Sequence, residues 1–268
     1  MTPRFDVEFN LKFKCHDFLD REKIKLVGLG DFHIGSKDTN EQFIEDTIAY
    51  IAKSPDMYVV LNGDIIECVT KQSKGDIYSL KYTSPDDQFD RALELLTPIK
   101  DRILFINSGN HDGGNRSEGH DYNRQLALVF NLLDCYHPVA GYLEIRVGKK
   151  PRNKKPFVYS VYTTHGRGGG ATHGSKANAL NKFADVVASD VVLISHMHGV
   201  HYLERLIATP DFQNKKIITR KQRCILCSAF MNYGGYGMGG GYHPSPVGLS
   251  IITFYGTGKG GIEVTHLG

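Results

Sequence analysis

Apolar residues occur along this chain in five short runs, and each run is soon followed by an acidic, amide or histidine residue. Short apolar runs bounded by polar residues or glycine predict buried strands, in which both faces of the sheet are covered. The five predicted strands are Ile24–Leu29, Met57–Leu61, Ile103–Ile106, Val158–Tyr162 and Val191–Ile194.

Between several of the predicted strands, the apolar positions follow the spacing of an amphipathic helix. The first such segment has Asp38 or Thr39 available as a cap, and the second begins with Ser84 as the cap and Pro85 at the first helical position. Strands that alternate with helices predict right-handed crossovers and a largely parallel central sheet. The four predicted helices are Asn40–Lys53, Ser84–Leu96, Asp121–Leu133 and Ser175–Ala188.

The pattern changes after His198, where strand-like segments follow one another without helices between them. These segments are His201–Ala208, Lys216–Ala229, Val247–Tyr255 and Gly261–Thr265. We expect them to form a second, more antiparallel sheet packed on the first. Neither a linker nor an internal repeat divides the sequence, so residues 1–268 are predicted to form one domain. It would have a motif-bearing α/β part over 31–198 and a mainly antiparallel part over 199–268.

Composition places the chain among ordinary globular proteins. It has 268 residues, 41% of them hydrophobic and 23% charged, which allows a sizeable core and does not match a disordered or fibrous protein. The sequence shows no apolar stretch that predicts a membrane span, so no membrane partner is expected. The segment Met1–Asp20 interleaves charges with apolar residues, unlike a secretory signal. A cytoplasmic location is therefore expected.

The cysteines and the basic residues carry little functional information. Five cysteines scattered over a long chain argue against a disulfide framework, and the C-x-x-C of Cys224 and Cys227 lies in an apolar run. We interpret that pair as buried strand residues rather than a zinc or redox site. The net charge is +3, and basic residues cluster at Arg146–Lys155 and Lys215–Arg223. We interpret both clusters as solvated turns, with contact to nucleic-acid phosphates as the alternative.

Asp, Asn and His residues follow all five predicted strands. In a parallel α/β sheet, ligands bind outside the carboxyl ends of the strands, where loops from several strands converge. The polar segments are therefore expected to meet in one place. They are Asp31-Phe32-His33, Gly63-Asp64, Gly109-Asn110-His111-Asp112, His165-Gly166 and Ser195-His196-Met197-His198.

These residue types suit two divalent cations that share a carboxylate. Asp31 and His33 can chelate from one turn of chain, the carboxylate of Asp64 can bridge two ions, and Asn110 adds a neutral amide oxygen. Two such cations acidify a water molecule and polarise phosphoryl oxygens, so hydroxide becomes available near neutral pH. His111, which is not needed as a ligand, is placed to give a proton to the departing alkoxide.

The order and glycine placement of these segments resemble the calcineurin-like metallophosphoesterase family, whose pattern is D-x-H, G-D, G-N-H-[DE], H and G-H-x-H. The one departure is Ser195, which stands where the family usually has glycine; another small residue keeps the turn feasible. The resemblance covers Asp31–His198 directly. It implies an α/β fold of the α+β type, a four-layer αββα sandwich of two mixed β-sheets flanked by helices.

The resemblance also implies a role for each residue of the site. His111 would be the catalytic histidine. Asp112 is expected to orient His111 or to hold it protonated, with a cap or turn role as the alternative. Two divalent ions, manganese or else iron or zinc, are the implied cofactors. One ion would be bound by Asp31, His33, Asp64 and His198, and the other by Asp64, Asn110, His165 and His196, with Asp64 bridging.

The residues after Gly63-Asp64 disfavour two branches of the family. Protein Ser/Thr phosphatases carry Asp-Arg-Gly there and purple acid phosphatases a tyrosine ligand, whereas this chain continues with Ile65-Ile66-Glu67-Cys68. The chain looks more like the branch of exonuclease-type repair nucleases and nucleotide phosphodiesterases. We therefore expect hydrolysis of nucleic-acid or nucleotide phosphodiesters. The alternatives are a phosphomonoesterase and, less favoured, a non-catalytic metal-binding scaffold. Because homologues often form dimers, a homodimer is considered as the assembly.

Three loops outside these segments are expected to choose the substrate, namely Val69–Ser84, Gly113–His120 and Asn232–Pro246. Arg116 in the second loop and Arg167, which precedes three glycines, are the predicted contacts to the substrate phosphate, with ordinary surface charge as the alternative. The third loop mixes glycines with tyrosines, whose faces can stack on bases. We interpret it as a mobile loop that borders the site.

Overall fold

A computed structural model of the chain describes residues 9–69, 77–112, 120–170, 172–234, 238 and 243–268. Its α-helices are α1 (Glu41–Ala52), α2 (Pro85–Leu96), α3 (Tyr122–Val129) and α4 (His173–Ala184), and short 3-10 helices span Ile77–Ser79, Thr97–Arg102 and Leu133–Cys135. Its strands are β1 (Lys12–Phe18), β2 (Lys23–Leu29), β3 (Met57–Asn62), β4 (Ile103–Asn107), β5 (Tyr136–His137), β6 (Ala140–Val147), β7 (Phe157–Thr164), β8 (Val191–Ile194), β9 (His201–Asp211), β10 (Lys216–Leu226), β11 (Leu249–Tyr255) and β12 (Gly261–Leu267).

The strands form two six-stranded sheets. Sheet A has the order β1-β6-β7-β8-β10-β9, and sheet B has the order β12-β11-β2-β3-β4-β5. In sheet B, β2 to β5 run parallel, as the alternation of strands and helices predicted, while β11 and β12 add antiparallel pairs. In sheet A, β7, β8 and β10 run parallel, and β9 forms an edge antiparallel to β10. Both sheets are therefore mixed.

Three hydrophobic cores separate four layers. Helices α1, α2 and α3 cover the outer face of sheet B with residues such as Ile44, Phe89 and Leu126. Helix α4 covers the outer face of sheet A, where Leu180 packs with the apolar residues of β8 and β10. The third core lies between the two sheets and includes Phe105. The four-layer αββα sandwich that the family resemblance implied is thus the observed architecture.

The expectation that the strands after His198 form a sheet of their own is wrong. β9 and β10 extend sheet A, whereas β11 and β12 extend sheet B. β10 pairs in parallel with β8, and β11 pairs antiparallel with β2. The alternation of apolar and polar residues is a local property that identifies strands, but the partner of a strand depends on which sheet edge remains open in the folded protein.

The ends of several elements also differ from the predictions. The cap of α1 is Asn40 rather than Asp38 or Thr39, because the Asn40 side chain accepts the hydrogen bond from the backbone N–H of Phe43 at 3.0 Å. Helix α3 ends before the predicted Leu133, and α4 lies earlier than predicted. Strands β1 and β6, which pair with each other in parallel, were not predicted.

The cysteines agree with their interpretation, and the basic clusters agree only in part. No disulfide joins the five cysteines, which all lie in the described ranges, and Cys224 and Cys227 are buried. Burial raises the pKa of the Cys227 thiol to about 12, which disfavours the reactive thiolate form. In Arg146–Lys155, Arg146 belongs to β6 and the residues after Val147 form the turn. Most of Lys215–Arg223 is not a turn but strand β10. In the described ranges, the structure contains no helix with the length and apolarity required to cross a membrane.

Candidate dinuclear metal site

The predicted ligand segments lie at one end of the sandwich, at the carboxyl ends of strands from both sheets. The segments of Asp31, Asp64 and Asn110 follow β2, β3 and β4 of sheet B. Those of His165 and His196 follow β7 and β8 of sheet A. The structure therefore brings together side chains that neither sheet could assemble alone.

The backbone at these positions has an uncommon conformation. Positive φ values are rare for residues with a side chain, and where they persist the surrounding structure must hold them. The loop after β2 is held by the backbone N–H groups of Phe32 and His33, which both donate to the carbonyl oxygen of Asp64. Five predicted ligands have positive φ, namely Asp31 (51°), His33 (49°), Asp64 (52°), His196 (72°) and His198 (45°).

One group of donor atoms consists of Asp31, His33 and His198, with Asp64 at its border. Nε2 of His33 lies 3.1 Å from Nε2 of His198 and 3.9 Å from Oδ2 of Asp64. Nε2 of His198 lies 3.8 Å from Oδ1 of Asp31. Asp31 and His33 are buried, so their side chains face the protein interior rather than solvent.

A second group consists of Asp64, Asn110, His165 and His196. Nε2 of His165 lies 3.1 Å from Oδ2 of Asp64, 3.1 Å from Oδ1 of Asn110 and 3.2 Å from Nδ1 of His196. The two groups are tied together, because the backbone N–H of His196 donates to the carboxylate of Asp31 at 2.8 Å. Asp64 lies between the groups, with its Oδ2 3.9 Å from Nε2 of His33 and 3.1 Å from Nε2 of His165.

The donor atoms are spaced like the ligands of metal ions. Ligand atoms about 2.1 Å from an ion and at right angles to each other lie about 3 Å apart. The contacts of His33 with His198 and of His165 with its three neighbours, at 3.1 to 3.2 Å, match that spacing. Imidazole nitrogens with carboxylate and amide oxygens suit manganese, iron or zinc. The residues present therefore fit one divalent cation in each group.

The electrostatics of the site favour positive charge. Burial opposes protonation of His165, but Asp64 outweighs that effect and raises the pKa of His165 to about 10. Burial likewise lowers the pKa of His33, but the carboxylate of Glu67 outweighs this effect and the pKa of His33 rises to about 9. Despite burial, His165 holds the pKa of Asp64 well below its usual range. A divalent cation would occupy the same favourable potential and displace these protons.

Asn62, at the end of β3, supports the second group from behind. Its backbone carbonyl accepts a hydrogen bond from Nδ1 of His165 at 2.8 Å, which leaves Nε2 as the ligand atom. Its side chain joins the two sheets. Nδ2 donates to the carbonyl oxygen of Thr164 at 2.8 Å, and Oδ1 accepts hydrogen bonds from Asn107 at 2.7 Å and Thr163 at 3.0 Å. The sequence analysis did not find this residue.

Glu67 is a second residue that the sequence analysis missed. Its Oε2 accepts a hydrogen bond from Nδ1 of His33 at 2.7 Å, so a carboxylate orients this predicted ligand and leaves its Nε2 toward His198. Its Oε1 lies 3.4 Å from Nδ1 of His111. The available signal was an acidic residue inside an otherwise apolar stretch, three positions after Asp64.

His111 lies beside the first group and remains 24% exposed through its side chain. Its backbone N–H donates to Oδ1 of Asp64 at 2.7 Å, and its Nδ1 lies 3.0 Å from the carbonyl oxygen of Glu67. Burial lowers the pKa of the His111 ring, but the hydrogen bond with Glu67 outweighs it and the pKa is raised. With Nδ1 turned toward Glu67, a proton for a leaving group would be carried on Nε2.

Asp112 is buried and makes contacts typical of a turn rather than of a catalytic group. Among the described residues, its hydrogen bonds go to backbone amides and one asparagine, not to the His111 ring. The expectation that Asp112 orients His111 is therefore not met, and Glu67 has that position instead. The donors to Asp112 are the backbone N–H groups of Asp64, Ile65, Ile66 and Gly109, at 2.6 to 3.2 Å, and Nδ2 of Asn123 at 2.7 Å.

Lys176 of α4 connects the site to the loop before β11. It is buried, and its ammonium group donates to the carbonyl oxygen of His198 at 3.0 Å and to Oγ of Ser245 at 3.1 Å. Burial lowers the pKa of Lys176. No sequence pattern marked this lysine, because its role depends on contact between segments that are distant along the chain.

The predicted substrate contacts are only partly described by the structure. Arg116 lies outside the described residues, as do 70–76 of the first substrate loop and 235–237 and 239–242 of the third. Arg167 is exposed two positions after His165, and Gly168 next to it has a φ of 117°. In the first loop, Lys81 lies 2.7 Å from Glu41, which assigns its charge to an ion pair at the start of α1.

Similarity to known proteins gives the family of the chain. The model of the calcineurin-like phosphoesterase family matches residues 24–200, and the chain belongs to this family of metal-dependent phosphoester hydrolases. Among solved structures, a conserved uncharacterized protein from Streptococcus pneumoniae TIGR4, described as a predicted phosphoesterase, is 11% identical, with a TM-score of 0.36 over 91% of this chain and 98% of its own. Vps29 of Chaetomium thermophilum is 9% identical, with a TM-score of 0.38 over 91% and 97%. The comparison with curated proteins finds no match.

Proposed function

We propose that the protein is a phosphodiesterase that uses two divalent metal ions to hydrolyse nucleic-acid or nucleotide phosphodiesters. The observation that supports this most directly is the meeting of two groups of buried and half-buried donor residues at one carboxylate, that of Asp64. Two bound cations would activate a water molecule and neutralise charge on the phosphoryl oxygens. We keep the ligand assignment Asp31, His33, Asp64 and His198 for one ion and Asp64, Asn110, His165 and His196 for the other.

His111 is proposed as the residue that protonates the departing alkoxide. Its contact with Glu67, its raised pKa and its partial exposure beside the first group of ligands support this role. Asp112 is proposed to hold the loops of Asp64 and Gly109 in place, which positions His111 indirectly. Arg167 is proposed to contact a substrate phosphate, because it lies on an exposed, glycine-rich segment next to His165.

The choice of a diester rests on the residues that follow Asp64, which depart from the protein phosphatase and purple acid phosphatase patterns. Manganese is the proposed native metal because carboxylate and amide oxygens favour it, and iron or zinc, which the imidazole ligands also suit, are the alternatives. A cytoplasmic location, a single domain over residues 1–268 and a homodimer stay predictions from the sequence.

The direct test compares a diester with a monoester. The purified protein is stripped with a chelator, reloaded separately with manganese, iron or zinc, and assayed with bis-(p-nitrophenyl) phosphate and p-nitrophenyl phosphate. We expect faster turnover of the diester, with manganese giving the highest activity. A strong preference for the monoester would make the protein a phosphomonoesterase. Binding of metal without turnover of either ester would make it a non-catalytic scaffold.

The role of His111 is tested by His111→Ala, with His266→Ala as the matched control. His266 is exposed on β12 and contacts Ser250, so its loss should leave turnover unchanged. Loss of a general acid typically costs about 10²- to 10⁴-fold in rate, and we expect His111→Ala to lose that much while retaining both metal ions. Normal cleavage by His111→Ala would show that another group supplies the proton.

A further inference from the structure

The hairpin of β9 and β10, here called the β9–β10 arm (His201–Leu226), projects beyond the rest of sheet A. β10 pairs with β8 only over Arg223–Leu226, so its first part continues past the end of β8 with β9 as its only described strand partner. Residues on both faces of that part are exposed, Leu206 and Ile217 on one face and Lys216 and Arg220 on the other. This region is therefore open to solvent from two sides.

The arm carries a local excess of positive charge, as does the basic turn between β6 and β7. The arm contains six lysines and arginines and two acidic residues, whereas the whole chain has a net charge of only +3. The remainder of the chain is therefore slightly acidic overall. A concentrated patch on a nearly neutral protein produces a local positive potential that attracts anions.

Half of the lysine and arginine side chains of the arm form no ion pair with a described carboxylate. Lys221 lies 2.7 Å from Glu204, and Arg205 lies 2.7 Å from Asp185, so these charges are compensated. Three exposed cations near the tip form no ion pair within the described parts of the chain. They are Lys215, Lys216 and Arg220.

We propose that the β9–β10 arm binds the phosphate backbone of a polynucleotide, as a second contact surface separate from the metal site. Unpaired lysines and arginines supply the salt-dependent part of nucleic-acid binding by releasing counterions from phosphates. Phe212 at the tip is 85% exposed and offers a face on which a base can stack. The choice of a polynucleotide over another polyanion rests on the proposed phosphodiesterase function.

The length of the arm sets the size of a ligand that reaches both surfaces. Leu226 is level with Ile194, which precedes the metal-ligand segment, and Lys216 lies at the other end of the same strand. At about 3.3 Å per residue, the tip is about 33 Å from the level of the site. One turn of duplex DNA spans about 34 Å. Short diesters would contact the metal site alone, and duplexes longer than about ten base pairs would contact both surfaces.

The test uses the full chain and a fluorescein-labelled DNA duplex of about 20 base pairs, roughly two helical turns. Binding is measured by fluorescence anisotropy at several sodium chloride concentrations, with EDTA present to prevent cleavage. The arm variant is Lys215→Glu/Lys216→Glu/Arg220→Glu. The control variant, Lys149→Glu/Arg152→Glu/Lys155→Glu, makes the same change of net charge in the exposed turn before β7, at the same end of the sandwich.

We expect the arm variant to raise Kd at least tenfold and the control to change it less than about twofold. Each lost phosphate contact lowers the slope of log Kd against log salt by about 0.9, so the arm variant should lose about 2 to 3 from the slope. An unchanged Kd in the arm variant, or an equal loss in the control, would overturn the proposal. A change of oligomeric state on sedimentation would overturn it as well, since the arm would then be a self-association surface.

The DNA-binding assay tests the arm proposal, and the diester assay tests the proposed function, so a failure of one can be told from a failure of the other. Both variants should turn over bis-(p-nitrophenyl) phosphate at the wild-type rate, because neither changes a residue of the metal site. Arm-dependent DNA binding by a protein that cleaves no diester would contradict the proposed function alone. Normal diester turnover with arm-independent DNA binding would contradict the arm proposal alone. If the charge reversal prevents folding, the neutral variant Lys215→Gln/Lys216→Gln/Arg220→Gln replaces it, with the matching control.

Discussion

The metal-site end of the sandwich and the β9–β10 arm at the other end use polar residues in opposite ways. At the metal site, Asp31, His33 and Asp64 are buried, have positive φ and lie about 3 to 4 Å from other donors. On the arm, Lys216 and Arg220 are exposed on a regular strand. The first arrangement fixes atoms in place, whereas the second leaves long side chains free to adapt to a ligand.

This difference shows where structural precision matters in the protein. Metal ligation and phosphoryl transfer depend on donor positions to within a fraction of an ångström, so strained backbone and buried hydrogen bonds are maintained at that end. Binding to a phosphate backbone depends mainly on the number of charges. Substitutions at the metal site should therefore have large and specific effects, and those on the arm small and additive ones.

The largest effect is expected for Asp64→Asn. The variant loses the charge that lies between the two donor groups and should bind at most one metal ion tightly, with turnover reduced by about a thousandfold or more. Metal analysis of the dialysed protein and a diester assay measure the two effects. Asp211→Asn on the arm, where the carboxylate accepts hydrogen bonds from Asn214, is the matched control and should retain both ions. Two tightly bound ions in Asp64→Asn would contradict the proposal that the Asp64 carboxylate is shared by both metal ions.

A smaller loss is expected for Glu67→Gln. The glutamine can still accept a hydrogen bond from His33, but it removes the negative charge that favours the orientation and basicity of this ligand. Changes at residues that orient metal ligands typically cost about 10- to 100-fold in affinity or activity. Metal titration and diester turnover measure the loss, and Glu204→Gln on the arm is the control. Equal activity in the two variants would show that Glu67 has no positioning role.

Asn62→Leu should change stability more than any substitution on the arm. It removes the side-chain link between the sheets and leaves the polar groups of Asn107, Thr163 and Thr164 buried without that partner. We expect a loss of about 2 to 4 kcal/mol in the free energy of unfolding, measured by urea denaturation. Asn214→Leu, the same change in the exposed tip of the arm, should cost less than about 1 kcal/mol. Similar losses would mean that the inter-sheet link contributes little.

The smallest effect is expected for Arg220→Ala. The side chain is exposed and has no ion-pair partner within the described chain, so the free energy of unfolding should stay within about 0.5 kcal/mol of wild type. Urea denaturation and diester turnover check this, and both should match the wild type. A clear loss of stability would show that the arm is part of the folded core and not a free binding surface.

The elements that sequence predicted best are the buried strands next to the ligand segments. β2, β3, β4 and β8 have short, nearly continuous apolar sequences because both of their faces are covered. The predictions missed β1, in which charged and apolar residues alternate and no residue is fully buried. They also assigned β9 to β12 to one sheet, since pairing partners leave no mark in the local pattern.

In the candidate site too, features with a local sequence pattern were predicted and features that depend on tertiary contacts were not. The ligand segments were recognisable because each places an unusual residue type directly after a strand. Glu67 and Asn62 were not recognisable in this way. In the sequence, Glu67 is a single acidic residue and Asn62 is a polar residue at the end of a strand. Glu67 acts through its contact with His33 and Asn62 through its contact with His165, and the two partners of each contact are far apart in the sequence.

The sequence by itself determined the chemistry of this protein, because residue types and their spacing after strands decide which atoms are available to bind metal ions. The tertiary structure alone decided how those atoms are grouped around Asp64, which residues orient them, and that β10 continues past β8 as a charged arm. The reason is physical. Donor chemistry is a property of single side chains, whereas grouping, support and exposure depend on how two sheets pack and which strand edges remain open.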